Sequence, residues 1–356
     1  MCGSRSAAVT VSTLVISDLH LGSRLQRDVL RRPAVLEILL AQIERVDRLV
    51  LLGDVVEMLE GRPRQAMEEA QPVLEAIGNA VGRDRELLVV PGNHDHRLVR
   101  RWVRDQARHE RPLELTAEIP GSSSPALSAL VRALRPARPQ VHYPAVWLAD
   151  GVLAHHGHYV DRELMAPRPE PGSRPPYPQE ADQRVEDYER GPGASFAAVQ
   201  LALGSTLPRG VSAAIDRAAA AARTAGMAAA PALDAALPAP ILAPFSAGLL
   251  GQQFRRAGLP AMATAAGRLG VDARTIVFGH LHRAGPLPDD DRAEWTPLAG
   301  GPRLLNTGCW VYEPMLLAGA KPGHPYWPGG AVRIDARGRA RTVTLLDDLE
   351  PAQLLP

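Results

Sequence analysis

The stretch Thr13-Leu14-Val15-Ile16-Ser17-Asp18-Leu19-His20 decides the fold, because an apolar run with β-branched residues ends abruptly in polar side chains. Short apolar runs bounded by turn residues are typical of strands that are buried on both faces. Four more runs change from apolar to polar in the same way: 48–52 before Gly53-Asp54, 87–90 before Pro91-Gly92-Asn93-His94, 152–154 before His155-His156, and 275–278 before Gly279-His280. The five runs predict five buried strands, each followed by a polar cluster.

Helical patterns separate the first three of these strands, for example over 33–46. Alternation of strand and helix predicts parallel pairing, with helices packed against the sheet. Ligands of such sheets gather beyond the carboxyl ends of the strands, so one shared site is expected there. Because side chains alternate along a strand, Asp18 and His20 should point at one centre, and so should His280 and His282.

The end of the chain adds a predicted strand and turn over 303–308 and a hairpin formed by 331–334 and 341–346. The region 161–270 differs from the rest, because it combines a Pro-rich segment (167–178) with an Ala-rich one (213–230). We therefore predict a core formed by 1–160 and 271–356, interrupted by a helical insertion, ordered in part, over 161–270. This insertion is either a cap over the site or a solvated expansion.

Composition narrows the classes of function. The chain has 356 residues, 40 basic and 39 acidic, so no overall charge favours nucleic acid or an anionic membrane as partner. Two cysteines exclude a disulfide framework and a thiolate zinc site, and the first residues lack the apolar core of a secretory signal. A cytoplasmic location is expected, with peripheral membrane contact through the insertion as an alternative and no obligate protein partner.

Metal-ligating residue types fill the polar clusters. The candidate ligands are Asp18, His20, Asp54, Asn93, His156, His280 and His282. Nitrogen and oxygen donors without sulfur suit manganese, our first expectation, or iron, zinc, nickel or cobalt. Seven donors exceed the needs of one ion, whereas two divalent ions that share a carboxylate would use them all. Such a pair suits in-line displacement at phosphorus, and His94 is placed to protonate the leaving oxygen.

These blocks, in this order, resemble the calcineurin-like metallophosphoesterase superfamily. The resemblance implies an α/β fold: a β-sandwich of two mixed sheets flanked by helices, which replaces the simple parallel sheet. It also implies that Asp18, His20, Asp54 and His282 hold one ion, while Asp54, Asn93, His156 and His280 hold the other. Asp54 would then bridge the two ions.

The same resemblance implies the chemistry. A metal-bridging hydroxide would attack phosphorus, His94 would assist the leaving group, and Glu57 would orient His94. Enzymes of the UDP-2,3-diacylglucosamine diphosphatase type have similar spacing, but they typically carry arginine where this chain has His94. Hydrolysis of monoesters, diesters and diphosphates therefore stays open, with a phosphorylated small molecule or a lipid-linked diphosphate as substrate.

Further residues receive smaller roles. Asn93, His96, Arg97 and His158 are candidate substrate-binding residues. The arginines of 97–111 follow helical spacing and form either a phosphate clamp or a solvated face, the simpler interpretation in a chain whose only lysine is Lys321. Asp95 is expected to shape its loop, His155 to pack beside the ligands, and Asn306 to buttress the site.

Two alternative functions use the same fold. A nuclease of the superfamily would need a long basic groove, which the near-neutral charge disfavours. A non-catalytic interaction module would be expected to lack metal ligands, and this sequence retains all seven.

Overall fold

The computed structural model describes residues 11–164, 176–178, 180–189, 257–313, 317 and 320–354. Most of the predicted Pro-rich segment and all of 213–230 lie outside the described residues. The division into core and insertion, and the cap itself, therefore stay predictions.

Ten strands occur among the described residues. They are β1 (Thr13–Ile16), β2 (Arg48–Leu52), β3 (Glu86–Val90), β4 (Thr116–Ile119), β5 (Pro139–Ala149), β6 (Val152–His155), β7 (Thr275–Phe278), β8 (Arg303–Asn306), β9 (Gly330–Ile334) and β10 (Ala340–Thr344). The helices of the same residues are α1 (Pro33–Ile43), α2 (Pro63–Val81), α3 (Arg100–Arg108), α4 (Pro125–Ala133), α5 (Val160–Leu164), α6 (Val185–Glu189), α7 (257–268) and α8 (Pro351–Leu354). Short 3-10 helices span Val29–Arg31 and His96–Leu98.

The strands form one mixed sheet in the order β10-β9-β1-β2-β3-β5-β6-β7-β8, with β4 paired to β5. We call β1–β4, β9 and β10 the first half and β6–β8 the second half. Neighbours are parallel from β1 to β3 and again from β6 to β8. The long strand β5 belongs to both halves, since Val141 pairs with β3 and Ala145 with β6.

The sheet folds back on itself, because β8 at one end of the order contacts β9 and β10 at the other. Alternating side chains explain this arrangement. Val15 and Val50 pack in one apolar cluster with Val277 and Leu305 of the second half. The opposite faces carry helices: α1, α2 and α4 share a cluster with β1 and β2, while α7 shares one with β7 and β8. The fold is thus α/β, with a large mixed sheet between helices.

The five predicted strands and the C-terminal hairpin are confirmed, and the predicted helix over 33–46 is α1. The prediction of two separate sheets stays a prediction in its detail, since hydrogen bonding is continuous through β5. No helix of the described residues has the length and apolar character needed to cross a membrane.

Candidate functional site

The predicted metal ligands follow the carboxyl ends of β1, β2, β3, β6 and β7, as the sequence indicates. Their backbone is unusual. Seven non-glycine residues of the described chain have a positive φ, and five of them are predicted ligands: Asp18 (55°), His20 (44°), Asp54 (53°), His280 (64°) and His282 (56°). Such conformations cost about 1–3 kcal/mol each and persist where the surrounding structure enforces them, commonly at functional sites.

The first donor group consists of Asp18, His20 and His282. The Nε2 of His282 lies 3.1 Å from Asp18 Oδ1 and 3.3 Å from the Nε2 of His20. Asp18 is fully buried and His20 is 7% exposed. Burial by itself lowers the pKa of His282, but the Asp18 carboxylate raises it well above its ordinary value. Three donor atoms from two distant strands therefore converge on one point.

The second donor group consists of Asp54, Asn93, His156 and His280. The Oδ1 of Asn93 lies 3.2 Å from His156 Nε2 and 3.1 Å from His280 Nδ1. The Nδ1–H of His156 donates to the carbonyl of Leu52 at 2.9 Å, which turns Nε2 toward the group. Burial lowers the pKa of His156, but the Asp54 carboxylate raises it to about 9.

Asp54 lies between the two groups. Its Oδ2 is 3.2 Å from His156 Nε2 in the second group and 3.8 Å from His20 Nε2 in the first. Its Oδ1 accepts the backbone N–H of His94 at 2.8 Å, so the carboxylate has a fixed orientation. Although burial raises the pKa of Asp54, the neighbouring His156 and His94 charges lower it well below its ordinary value.

Glu57 joins the first group to His94. Its Oε2 lies 2.8 Å from His20 Nδ1 and 2.6 Å from His94 Nδ1. Burial would raise the pKa of Glu57, but the His94 charge and both hydrogen bonds lower it. Conversely, Asp54 and Glu57 overcome the effect of burial and raise the pKa of His94 to about 10. One buried carboxylate thus orients a metal-ligand candidate and the leaving-group candidate together.

Two glycines allow the backbone to approach this closely. A Cβ on Gly53, whose φ is 83°, would lie 2.2 Å from His156 Nδ1. A Cβ on Gly92 would lie 2.3 Å from Asp54 Oδ1. Any side chain at these two positions would clash with a candidate ligand, so only glycine fits directly before Asp54 and before Asn93.

The prediction that His280 and His282 point at one centre is wrong, because His282 joins the first group and His280 joins the second. Strand β7 ends at Phe278, before both histidines, and their backbones are left-handed. The two-residue alternation of strands does not apply beyond that point. Asp18 and His20 also follow the end of their strand, although both lie in the first group.

The candidate substrate-binding residues are placed differently from one another. Asn93 lies within the second group. His96 and His158 belong to a polar network centred on Glu189 of α6. Glu189 lies 3.0 Å from His96 Nε2 and accepts hydrogen bonds from the hydroxyls of Tyr143 and Tyr159, and the Tyr143 hydroxyl also contacts His158. Arg97 is exposed and has no contact with either donor group among the described residues.

The supporting roles of three residues are confirmed. Asp95 accepts the N–H groups of Gly92 and Val55 at 2.6 and 2.8 Å, which fixes its loop. His155 is buried beside the ligands and accepts the Gly157 N–H at 2.8 Å. Asn306 donates to the carbonyl of Gly279 at 2.6 Å and thereby supports the turn that carries His280.

Sequence reasoning missed Asp161 and Glu189. The Oδ1 of Asp161 lies 2.9 Å from His280 Nε2, on the side of the ring opposite Asn93. Its position three residues after His158, close to the predicted ligand His156, is the one signal that the sequence offers for it. Glu189 gave no signal, because its partners are distant along the chain.

The site fits divalent ions. Donor atoms in each of three sets lie within 4.8 Å of one another: Asp18, His20 and His282; His20, Glu57 and His94; and Asp54, His156 and His280. The donors are imidazole nitrogen and carboxylate or amide oxygen, which suit borderline and hard cations. The second ring nitrogen of each anchored histidine meets a carbonyl or carboxylate, as is common for histidines that bind metal. Chemically, such a site can bind phosphoryl oxygens and place an acid beside them.

Comparison with known proteins agrees with this site. Residues 11–195 match the family model described as calcineurin-like phosphoesterase. No curated protein sequence matches the chain. Among solved structures, the chain is similar to a mutant cold-active protein tyrosine phosphatase at 12% identity, over 93% of this chain and 80% of that one, with a TM-score of 0.26. That likeness is too low to support an argument about function.

The match spans more than half of the chain and contains the ligand candidates from Asp18 to His156. Together with the donor groups it supports a metal-dependent phosphoesterase. The chain belongs to the calcineurin-like phosphoesterase family.

Proposed function

We propose that the protein is a dinuclear metal-dependent hydrolase of phosphoester or diphosphate bonds. The position of Asp54 carries this proposal: its Oδ2 lies 3.2 Å from a histidine of the second group and 3.8 Å from one of the first. A single carboxylate oxygen facing two donor sets is suited to bridging two ions. Asp18, His20 and His282 would hold one ion, and Asn93, His156 and His280 would hold the other.

Two bound divalent ions would supply an activated water and neutralise charge that develops on phosphorus. The residues of the chain would orient the metal ligands and supply the proton for the leaving group. Buried carboxylates and carbonyls fix the ring orientations of His20 and His156 before substrate arrives. This preorganisation lowers the cost of forming the reactive geometry.

His94 is the proposed acid. The Oε2 of Glu57 lies 2.6 Å from His94 Nδ1, so Nε2 is the ring nitrogen that remains available to a leaving oxygen. In the metal-free chain, the Asp54 and Glu57 carboxylates raise the pKa of His94 to about 10, which favours the protonated ring that an acid needs. The His94 side chain is 26% exposed and that of Glu57 is 1% exposed, so the ring faces the substrate side from a buried anchor.

Motif resemblance and composition support our proposals for the ion, the substrate, the sheet arrangement and the location. We propose manganese as the ion and a phosphorylated small molecule or lipid-linked diphosphate as the substrate. We also propose that the folded-back sheet is the two-sheet sandwich of the family and that the protein works in the cytoplasm.

The substitution Asp54→Asn tests the function. We expect hydrolysis of bis(p-nitrophenyl) phosphate with manganese to fall about a thousandfold, because several kcal/mol of charge stabilisation would be lost. Metal content measured by plasma mass spectrometry should fall below two ions per chain, while circular dichroism stays unchanged. The control is Asp150→Asn, a carboxylate at the β5–β6 turn that pairs with Arg274. Activity of Asp54→Asn within threefold of wild type would overturn the proposal.

A further inference from the structure

A positively charged cavity lies between α3 and α4, and none of the candidate metal ligands lines it. A cavity of about 440 Å³ there is lined by Arg97, Arg100, Arg101, Arg104 and Arg108, together with Asp105 and the first residues of α4. The proposed hydrolysis uses none of these arginines except Arg97, a candidate from sequence alone. The site therefore needs an explanation of its own.

The spacing of the arginines brings them to one face. Arg100, Arg104 and Arg108 are four residues apart along α3 and form one row, with Arg101 beside it, while Arg97 lies in the preceding 3-10 helix. The face runs about 12 Å from Arg100 to Arg108 at 1.5 Å per residue. An arginine-rich composition explains the residue type, but it does not explain why five arginines line one cavity.

The positive charge of this cavity is poorly compensated. Asp105 is the single acidic residue in its lining, and its Oδ1 contacts Arg108 at 3.6 Å. Among the described residues, Arg97, Arg100, Arg101 and Arg104 form no ion pair. The start of α4 adds the partial positive charge of a helix N-terminus, where Ser124 accepts the Leu127 N–H at 3.0 Å. Bringing these charges together costs free energy that a bound anion would recover.

We propose that this cavity is an accessory binding site for a compact phosphate-bearing anion, such as a diphosphate group. Guanidinium groups match phosphate oxygens in two-point hydrogen bonds, which a row of arginines offers repeatedly. The cavity is open to solvent, and its lining is confined to α3, the residues just before it and the first residues of α2 and α4, which suits a small anion better than a long polymer that would need an extended groove. The site is distinct from the metal centre, and anion binding there requires neither metal nor hydrolysis.

Isothermal titration calorimetry with inorganic pyrophosphate tests this site. The full chain is titrated both as purified and after a chelating resin has removed metal. Pyrophosphate that binds to metal ions is thereby distinguished from pyrophosphate that binds to the arginines. We expect the metal-free wild type to bind pyrophosphate, and R101A/R104A to bind it at least about tenfold more weakly. The control R83A/R337A removes two exposed arginines elsewhere and should bind within about twofold of wild type.

Three results would overturn the proposal. One is no binding to the metal-free wild type up to about 1 mM pyrophosphate. Another is equal weakening in R101A/R104A and in R83A/R337A, which would show an effect of net charge alone. The third is binding of a single-stranded oligonucleotide without binding of pyrophosphate, which would indicate a polymer site. Because no arm measures hydrolysis, failure here leaves the Asp54→Asn result unaffected.

Discussion

The two donor groups are held in place in different ways. In the first group, His20 is anchored by Glu57, a carboxylate whose side chain is 1% exposed. In the second group, His156 is anchored by the backbone carbonyl of Leu52, and His280 by Asp161, whose side chain is 17% exposed. Glu57 also holds His94, whereas Asp161 has no second imidazole partner among the described residues.

Glu57 and Asp161 therefore orient different numbers of side chains. A change at Glu57 reaches both a metal ligand and the proposed acid, because the same oxygen contacts both rings. A change at Asp161 would reach one metal-ligand candidate, His280. Through Glu57 we therefore expect the first group to couple metal binding to proton transfer, whereas Asp161 should affect metal binding alone.

The substitution Glu57→Gln should have the largest effect. A glutamine keeps the size but loses the charge, so we expect metal affinity to fall about 10- to 100-fold and turnover about a thousandfold in total. Loss of the negative charge should also lower the pKa of His94 from about 10. Calorimetry with manganese, turnover assays, and an NMR titration of the His94 ring in metal-free protein measure the three effects.

The matched control for this variant is Glu69→Gln on α2, which loses a carboxylate that contacts Arg31. It should leave all three quantities within about twofold of wild type. A Glu57→Gln protein that loses metal affinity but keeps the pKa of His94 would break the proposed coupling.

The substitution His94→Ala isolates proton transfer and should have an intermediate effect. Loss of a general acid costs about 100-fold or more for a poor leaving group, and less for a good one that needs no proton. We therefore expect phenyl esters to lose activity more than p-nitrophenyl esters, with metal content unchanged. Equal losses on both esters would contradict the role of His94 as an acid.

The substitution Asp161→Asn should have the smallest effect. We expect the affinity for one of two manganese ions to fall about tenfold, since Asp161 lies 2.9 Å from His280 Nε2. Manganese titration followed by electron paramagnetic resonance resolves the two binding steps, with Asp150→Asn as the control. Equal weakening of both steps would show that the two groups are not separable in this way.

Much of the fold could be predicted from local patterns. The apolar runs that end in Asp18, Asp54 and Asn93 are true strands, because a buried strand requires continuous apolar residues. Strand β5 was missed, since Pro139 and Pro144 interrupt its pattern and proline is uncommon within sheets. Pro139 is the first residue of the strand, where proline is tolerated, and Pro144 lies where β5 passes from its pairing with β4 to its pairing with β6.

The motif resemblance predicted both the donor residues and their division between two groups, whereas strand alternation did not predict that division. Motif spacing identified every member of the two groups. Left-handed backbones at His280 and His282 then send neighbouring imidazoles to different groups, which no strand periodicity describes. Asp161 and Glu189 depend on tertiary contacts, so a single sequence does not reveal their partners.

The shared strand β5 has a consequence for how the protein is made. The two sheet halves on either side of it contribute donors that are far apart in the chain, since His20 and His282 are 262 residues apart yet lie 3.3 Å from each other. During synthesis, β1, β2 and β3 and the donors that follow them emerge long before β7 and the two histidines that complete the donor groups. Closing so long a loop is a late and entropically costly event. Catalytic competence should therefore mark the end of folding, and a chain interrupted before β7 would have a partly formed sheet but no complete donor group.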